Sequence, residues 1–259
     1  MLAISNVYGH GFDGRQFSKL EGMGFRLRPQ LSRYMGSQVC HFIDFEEGPC
    51  LEPIVVEDDQ EYLDFVPEGM KPYCPGISLV LPEGTEATVG DYEREFRHLE
   101  PYNLHVNYDG SLEPGGPGWN YLNFKIPVVR DTFIWLTALD EPRPVRKYER
   151  VHPNGVTGLL GLVFDLEMEA LQGLAHLAKG AFTDGALRIG ELKVWSRSAV
   201  EDFPALQPKA FPLVAIVLKT KNLDYFTTRA EHAREVSFMS HRAFLIETNR
   251  LCWDIVVVG

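Results

Sequence analysis

The chain has 259 residues, of which 45% are hydrophobic and 24% charged, and its formal net charge is −11. These proportions are ordinary for a folded globular protein and exclude extensive disorder. The negative charge disfavours nucleic acids and anionic membrane surfaces as partners, because phosphate binding needs clustered lysine and arginine.

Compartment and redox state follow from three further features. No apolar run approaches the roughly 18 residues of a membrane helix. The N-terminus, MLAISNVYGHGFDG, lacks the basic start and long apolar stretch of a secretory signal. The four cysteines form no C-x-x-C pair and have no neighbouring histidine that completes a zinc pattern: Cys40, Cys50, Cys74 and Cys252. We predict a cytoplasmic protein with reduced thiols used in packing, and we leave open a Cys50–Cys252 contact.

Residues 2–56 show the order strand, helix and then strands. Asp13 can cap a short helix whose apolar face carries Phe17 and Leu20. Alternating or apolar residues then predict three strands, at 25–28, 39–45 and 51–56.

A second unit of the same order begins at residue 76. Thr88 and Asp91 predict a capping box ahead of an apolar face at helical spacing. Three strands are predicted after this helix, at 104–108, 121–127 and 132–139. The glycine- and proline-rich loop 110–118 is long enough to carry a function.

The stretch 140–153 is charged and contains three prolines, which predicts a linker. We divide the chain into an N-terminal half, a linker and a C-terminal half, at 1–140, 141–157 and 158–259. The C-terminal half is predicted to contain two further units. The third unit has strand 159–164, a helix capped by Asp165 and strand 186–196. The fourth has strand 213–220, a helix from about 222 to 233 and three strands that end with 253–258, and it resembles the first unit.

An internal resemblance links the two ends of the chain. Residues 41–56 and 243–258 both read as two extended runs joined by a polar turn, and Glu52 corresponds to Asp254. A duplicated module with an acid at one strand position can build a site between copies. The element order predicts an α+β fold of tandem βαβββ units, with paired, curved mixed sheets, helices on the outside and a small-molecule pocket.

Three stretches carry a resemblance to a known family. They are Phe17 followed by Gly24-Phe25, the pair Leu51-Glu52 on a strand, and Trp119 with the runs 133–135 and 152–158. They resemble bacterial glyoxalase-like domain proteins of the vicinal-oxygen-chelate superfamily, which has the glyoxalase, bleomycin-resistance and extradiol dioxygenase fold.

The resemblance implies a divalent metal (Zn, Ni, Mn or Fe) held by histidine, glutamine and glutamate from first and last strands. Glu52 matches the last-strand carboxylate, and Asp254 is its counterpart in the internal repeat. The family's first-strand histidine falls near Asn6, whereas the nearest histidine is His10. Strand 213–220 has no histidine, glutamine or acid, so a full ligand set cannot be assembled and a site without metal stays open.

Functions of two classes therefore remain open. One is a metal-assisted lyase, isomerase or dioxygenase, with Glu52 and His10 as the catalytic and metal-ligand candidates. The other is a non-catalytic protein that sequesters a small organic molecule, or a relative whose site has decayed. The substrate-binding candidates are Trp119, His105 and Asp254. A homodimer is left open, and His152 is predicted to stabilise the linker turn.

Overall fold

The computed structural model describes most of the chain, namely residues 2–34, 37–66, 70–81, 88–107, 118–139, 149–200, 209–229, 233–248 and 252–259. Most of the predicted loop 110–118 and the linker residues 141–148 lie outside the described residues. Within the described ranges, no helix is both long enough and apolar enough to cross a bilayer.

The first sheet has eight strands and is built from two units side by side. Its strands are β1 (Ala3–His10), β2 (Ser32–Tyr34), β3 (Gln38–Cys40), β4 (Cys50–Val56), β5 (Gly76–Val80), β6 (Pro101–Asn107), β7 (Gly118–Phe124) and β8 (Phe133–Leu139). Their spatial order is β2-β3-β4-β1-β5-β8-β7-β6, so the first strands of the two units, β1 and β5, are antiparallel neighbours at the centre.

The second sheet repeats this arrangement. Its strands are β9 (Val156–Phe164), β10 (Ala181–Thr183), β11 (Ala186–Ile189), β12 (Leu192–Ser196), β13 (Leu213–Thr220), β14 (Arg234–Phe238), β15 (His241–Ile246) and β16 (Asp254–Val258). The order is β10-β11-β12-β9-β13-β16-β15-β14, which matches the first sheet strand for strand. The predicted α+β fold of paired, curled mixed sheets is confirmed.

Short helices pack against the sheets. They are α1 (Gly14–Gly22), α2 (Asp59–Asp64), α3 (Val89–Glu95) and α4 (Gln172–Ala178), with 3₁₀ helices at Arg97–Leu99, Met168–Leu171, Arg197–Ala199 and Leu223–Arg229. Two of the three predicted caps are confirmed. Asp13 forms a capping box with Gln16 at α1, and Thr88 forms one with Asp91 at α3.

Three local predictions are wrong. Residues 25–28 form no strand, because Arg28 instead donates its backbone N–H to Phe42 and its guanidinium to Asp44. Asp165 caps no helix and pairs with Arg197, while α4 begins later, after a 3₁₀ turn. The helix predicted over 222–233 is the 3₁₀ helix Leu223–Arg229.

One continuous core joins both sheets and the helices. Strand residues of both sheets pack with helix side chains in a single buried cluster, which includes Val7, Leu51, Ile77, Phe17, Tyr92, Leu174, Ile216, Phe226 and Val257. The four cysteines are buried and none of them forms a disulfide, so Cys50 and Cys252 are not bonded to each other. Cys252 lies instead against Gly9, in the space that a side chain would need there.

His152 joins the two halves through backbone contacts. Its Nε2 donates to the carbonyl oxygen of Asp44 at 2.9 Å, and its Nδ1 accepts from the backbone N–H of Arg26 at 3.0 Å. Asn154 adds a bond to the carbonyl oxygen of Met23 at 3.0 Å. Burial, with the nearby Arg26 charge, lowers the pKa of His152 to about 4, so the ring is neutral near pH 7. The described part of the predicted linker turn therefore fastens the second half onto the first.

Candidate functional site

The two faces of the first sheet differ in chemistry, because neighbouring residues of a strand point to opposite sides. One face enters the core through residues such as Val7, Leu51 and Ile77. The opposite face, here called the inner face, carries the polar and aromatic residues Asn6, Tyr8, Glu52, Ser78, Trp135 and Thr137. Pairing in the sheet sets these residues side by side: Tyr8 opposite Glu52, Asn6 opposite Ser78, and Ser78 opposite Trp135.

Two polar pairs lie on this face, one from each unit of the sheet. In the first unit, the Asn6 amide donates to the Glu52 carboxylate across β1 and β4. In the second unit, the hydroxyl oxygens of Ser78 and Thr137 are 2.7 Å apart across β5 and β8. Ser78 and Thr137 are buried, whereas Asn6 and Glu52 are half-buried. Each pair joins the first and last strand of its unit, which are the strands that carry metal ligands in the family resembled by the sequence.

Aromatic rings surround the polar pairs. The Trp135 ring lies 4.9 Å from Tyr8, 5.7 Å from Tyr121 and 5.3 Å from Phe133, measured between ring centroids. Tyr121 in turn lies 6.0 Å from Tyr34. Tyr34, Tyr121 and Trp135 are half-buried, so the rings form a continuous aromatic surface that is only partly covered.

The ionisable groups around Glu52 are held neutral. Burial raises the pKa of the Tyr8, Tyr34 and Tyr121 hydroxyls and of the Cys40 thiol well above their usual values. The Glu52 carboxylate adds to each of these increases, because a second negative charge beside it is unfavourable. The phenols and the thiol are therefore un-ionised donors and acceptors near pH 7.

His10, predicted as a catalytic residue and metal ligand, is buried at the end of β1. Its Nδ1 lies 3.1 Å from the Cys74 carbonyl oxygen, and its Nε2 lies 3.0 Å from Gln38 Oε1. Burial lowers the pKa of the ring, although both neighbours oppose that shift. Both nitrogens are thus engaged by the protein.

The structure does not bring Glu52 and Asp254 together, because the two acids lie in different sheets. Asp254 begins β16 and forms an ion pair with Lys209 at 2.7 Å, with 6% of the Lys209 side chain and 1% of the Asp254 side chain exposed. Asp254 also accepts a hydrogen bond from the backbone of Thr248 at 3.0 Å. Burial raises the pKa of Asp254, and the Lys209 charge opposes the increase.

The corresponding face of the second sheet is filled with aliphatic and aromatic side chains. Its buried cluster comprises mostly small and branched residues, with two large rings: Val163, Ala186, Trp195, Val200, Val214, Ala215, Val217, Phe238, Ala243, Leu245, Val256 and Val258. Strand alternation gives this face a buried apolar cluster, with Arg188, Lys193 and Asp254 at other positions of the same face. The two sheets share a topology but differ in what they can bind.

The two remaining candidates lie on different faces of the first sheet. Trp119, on β7, shares a face with Tyr121, and their ring centroids are 6.1 Å apart. Its indole therefore extends the aromatic surface of the inner face. His105, on β6, pairs with Asn120 on the opposite side of the sheet from Trp119 and Tyr121. The structure therefore groups Trp119 with Glu52 and separates His105 from both.

The residues at the family's ligand positions are a poor match for a transition metal. Asn6, Glu52, Ser78 and Thr137 supply one carboxylate, one amide and two hydroxyls, but no imidazole or thiolate, the ligands that bind zinc, nickel and iron tightly. Within the described ranges, no group of three or more histidine, cysteine, aspartate or glutamate side chains is placed to hold a metal ion.

No family model matches the sequence, and no curated protein matches it. Its structure is similar to a hypothetical protein from Staphylococcus aureus, with 8% identity, a TM-score of 0.56 and all of both chains covered. It is also similar to the 2,3-dioxygenase LapB from Pseudomonas sp. KL28, with 10% identity, a TM-score of 0.54, and 99% of this chain and 92% of that chain covered. The Mn(II)-bound glyoxalase from Novosphingobium aromaticivorans has 8% identity and a TM-score of 0.54, with coverages of 98% and 81%.

At these identities the similarity shows the fold alone. That fold is the one of glyoxalases and extradiol dioxygenases, as the sequence resemblance implied. Several residues of the inner face were not predicted as a site: Tyr8, Tyr34, Cys40, Ser78 and Thr137. Their common signal is alternation within strands, which identifies a shared face only once the strand pairing is known.

Proposed function

We propose that this protein binds a small organic molecule on the inner face of its first sheet. The observation that carries the proposal is the composition of this face, where partly covered aromatic rings lie beside two polar pairs, one of which contains the Glu52 carboxylate. Small-molecule sites are lined mainly by apolar and aromatic groups, with a few polar atoms that fix orientation. The four buried thiols, none of which forms a disulfide, fit a protein of the reduced cytoplasm.

We favour binding over metal-assisted catalysis because the ligand positions lack imidazole. A metal-assisted lyase, isomerase or dioxygenase is the second candidate, supported by Glu52 at the strand position of the family's carboxylate ligand. Metal content by plasma mass spectrometry, on untagged protein purified without chelator and then reconstituted, separates the two. Binding alone predicts no stoichiometric metal. Near-stoichiometric Mn, Fe, Ni or Zn that falls on Glu52→Gln substitution would establish the metal-assisted candidate.

The binding site is tested with a panel of small aromatic alcohols, amines and quaternary ammonium salts, followed by intrinsic tryptophan fluorescence. We expect saturable binding with a stoichiometry of one, weakened by Trp135→Phe because that ring lies among the aromatic residues of the inner face. The matched control is Trp195→Phe, which makes the same change in the apolar cluster of the second sheet. Equal weakening by both variants, or no saturation with any compound, would contradict the proposal.

A further inference from the structure

The connector between the two units of the first sheet passes over one end of the inner face. We infer that its described residues 58–66 and 70–74, here called the lid, open locally and uncover His10 while the sheet stays folded. The inference goes beyond the proposed binding role and does not depend on it, because it concerns access to this end of the face and not what binds there.

The lid covers a residue of the inner face. His10 pairs with Ile54 of β4 and lies two residues after Tyr8 on β1, so the His10 and Tyr8 side chains point to the same side of the sheet. Their rings are in edge contact, with centroids 5.3 Å apart. From the lid, the Tyr62 ring lies 5.1 Å and the Tyr73 ring 6.2 Å from the His10 ring. Only 4% of His10 is exposed beside these rings.

The sheet and the lid each hold one nitrogen of His10. Nε2 lies 3.0 Å from Oε1 of Gln38 on β3, and Nδ1 lies 3.1 Å from the backbone oxygen of Cys74 in the lid. Opening therefore uncovers the ring and releases Nδ1, while the contact with Gln38 remains. The inner face then presents an imidazole on the same strand and the same side as Asn6 and Tyr8.

The lid is attached through few buried side chains. Within α2 only Tyr62 is buried and the other five residues are exposed, including the apolar Leu63, while Phe65 just after α2 is 42% exposed. The ion pair between Lys71 and Asp131 lies at the surface, with 61% of the lysine side chain exposed, where such pairs contribute little. Segments with few buried apolar contacts open at a lower free energy than the core. The lid should therefore open well before the core unfolds.

Both ends of the lid are fixed to the first sheet, which confines the motion to the residues between them. The backbone N–H of Glu57 donates to the backbone oxygen of Ser37 at 3.0 Å. At the other end, the backbone N–H of Phe133 donates to the backbone oxygen of Pro75 at 3.0 Å. Opening between these points leaves the pairing of β4 and β5 with β1 intact.

Tyr73 holds the lid closed under backbone strain. Its φ is 63°, in the left-handed region, which is costly for a residue with a large side chain. The Tyr62 hydroxyl accepts from the backbone N–H of Tyr73 at 2.9 Å, and Asp59 accepts from the Tyr73 hydroxyl at 2.6 Å. Separation of Tyr73 from these two partners lets its backbone return to an ordinary conformation, which lowers the free energy of opening.

The test measures opening by alkylation of the full chain with iodoacetamide, quantified at each cysteine by peptide mass spectrometry. Cys74, in the lid, is 3% exposed, and Cys252, in the shared core, is 1% exposed. With both rates corrected for those of the unfolded chain, we expect Cys74 to react at least about tenfold faster than Cys252, at a rate that stays constant over low urea concentrations. Diethyl pyrocarbonate, which modifies accessible imidazoles, should modify His10 faster than His152, which is buried at the junction of the two halves.

Tyr62→Phe removes the hydroxyl that accepts from the Tyr73 backbone and keeps the ring. Cys74 and His10 should both react about fivefold faster in this variant, the usual net effect of one hydrogen bond. The matched control is Tyr92→Phe, which makes the same change at a buried tyrosine of α3 and should leave both rates unchanged.

A second variant separates local opening from unfolding of the whole chain. Ile216→Val weakens the packing of β13 in the shared core, so it should raise the rate at Cys252 several-fold and leave the rate at Cys74 unchanged. The inference is wrong if Cys74 reacts no faster than Cys252, or if Ile216→Val speeds both equally. It is also wrong if Cys74 reacts while His10 stays fully protected, because the lid would then not uncover the inner face. Should Tyr62→Phe not fold, the urea dependence and Ile216→Val decide.

Discussion

The indole N–H of Trp253 donates a hydrogen bond to the backbone oxygen of Tyr8 at 3.0 Å, which connects the end of the chain to the central strand of the first sheet. Trp253 is fully buried, immediately before β16. The contact is close because residue 9, which follows Tyr8, is glycine. A Cβ atom at Gly9 would lie 2.1 Å from Cys252 Sγ and 2.8 Å from Trp253 Nε1.

Gly9→Ala should therefore destabilise the protein by about 1–3 kcal/mol, the usual range for overpacking a core. Denaturation in urea measures the loss. The matched control is Gly14→Ala in α1, where an added Cβ would meet no atom within 4 Å. Adding Cys252→Ala to Gly9→Ala should restore part of the stability. An alanine at position 9 that is tolerated as well as one at position 14 would show that the two halves are not in contact there.

His152 should make stability depend on pH. Its pKa is lowered from 6.5 to about 4 in the folded protein, so the neutral ring stabilises the fold fully above 6.5, and that contribution is lost as pH falls towards 4. The contribution is at most about 3.5 kcal/mol, since each pKa unit corresponds to about 1.4 kcal/mol.

His152→Gln is the variant for this prediction, with exposed His98→Gln as its control. Urea denaturation at several pH values should show that His152→Gln is less stable than the unaltered protein at pH 7, and that the difference shrinks towards pH 4. A difference that stays constant with pH would mean that the histidine acts through its shape and not through its protonation.

The ion pair between Lys209 and Asp254 should be structural. Lys209→Met leaves a buried carboxylate without its cation, which typically destabilises a protein by about 3–5 kcal/mol. The double variant Lys209→Met with Asp254→Asn should recover much of this loss, because it removes the unpaired charge. Binding to the first sheet should be unchanged in the double variant. Loss of binding there, at full stability, would return Asp254 to the substrate-binding role predicted from sequence.

Removal of residues 200–259 should prevent folding of the remainder. These residues include β13 and β16, which lie in the interior of the second sheet, with β13 paired directly to β9. Their loss would expose the edge of β9 and part of the shared core. Expression and size-exclusion chromatography of the fragment 1–199 provide the measurement, and a soluble, cooperatively folding fragment would disprove the dependence.

Much of the fold could be predicted because local patterns determine it. The sequence predicts strand 213–220 with the bounds that the structure gives it, since a short apolar run between polar residues is typical of a buried strand. The cap at Asp13 was predicted from its position ahead of an apolar helical face, and the one at Thr88 from its pairing with Asp91 three residues later. The strand predicted over 25–28 does not form, because a strand requires a partner strand and Arg28 forms hydrogen bonds with Asp44 instead.

The site was harder to predict because its residues come from distant strands. The repeat correctly matched the strand positions of Glu52 and Asp254, since each acid lies on the last strand of its unit. No local pattern indicates that the two strands enter different sheets, or that Lys209, 45 residues earlier, neutralises one of the acids. Residues such as Ser78 and Thr137 carry no chemical signal of their own until pairing places them 2.7 Å apart.

The apolar face of the second sheet has a consequence for how this chain can change over generations. A packed cluster of valine, alanine and leucine tolerates few substitutions, whereas partly covered aromatic and polar residues tolerate many. Selection for a new ligand should therefore collect its mutations on the inner face of the first sheet, while the apolar cluster of the second sheet accepts mainly volume-conserving exchanges. The first sheet can then change the ligand it binds while the packed cluster of the second sheet keeps the fold stable.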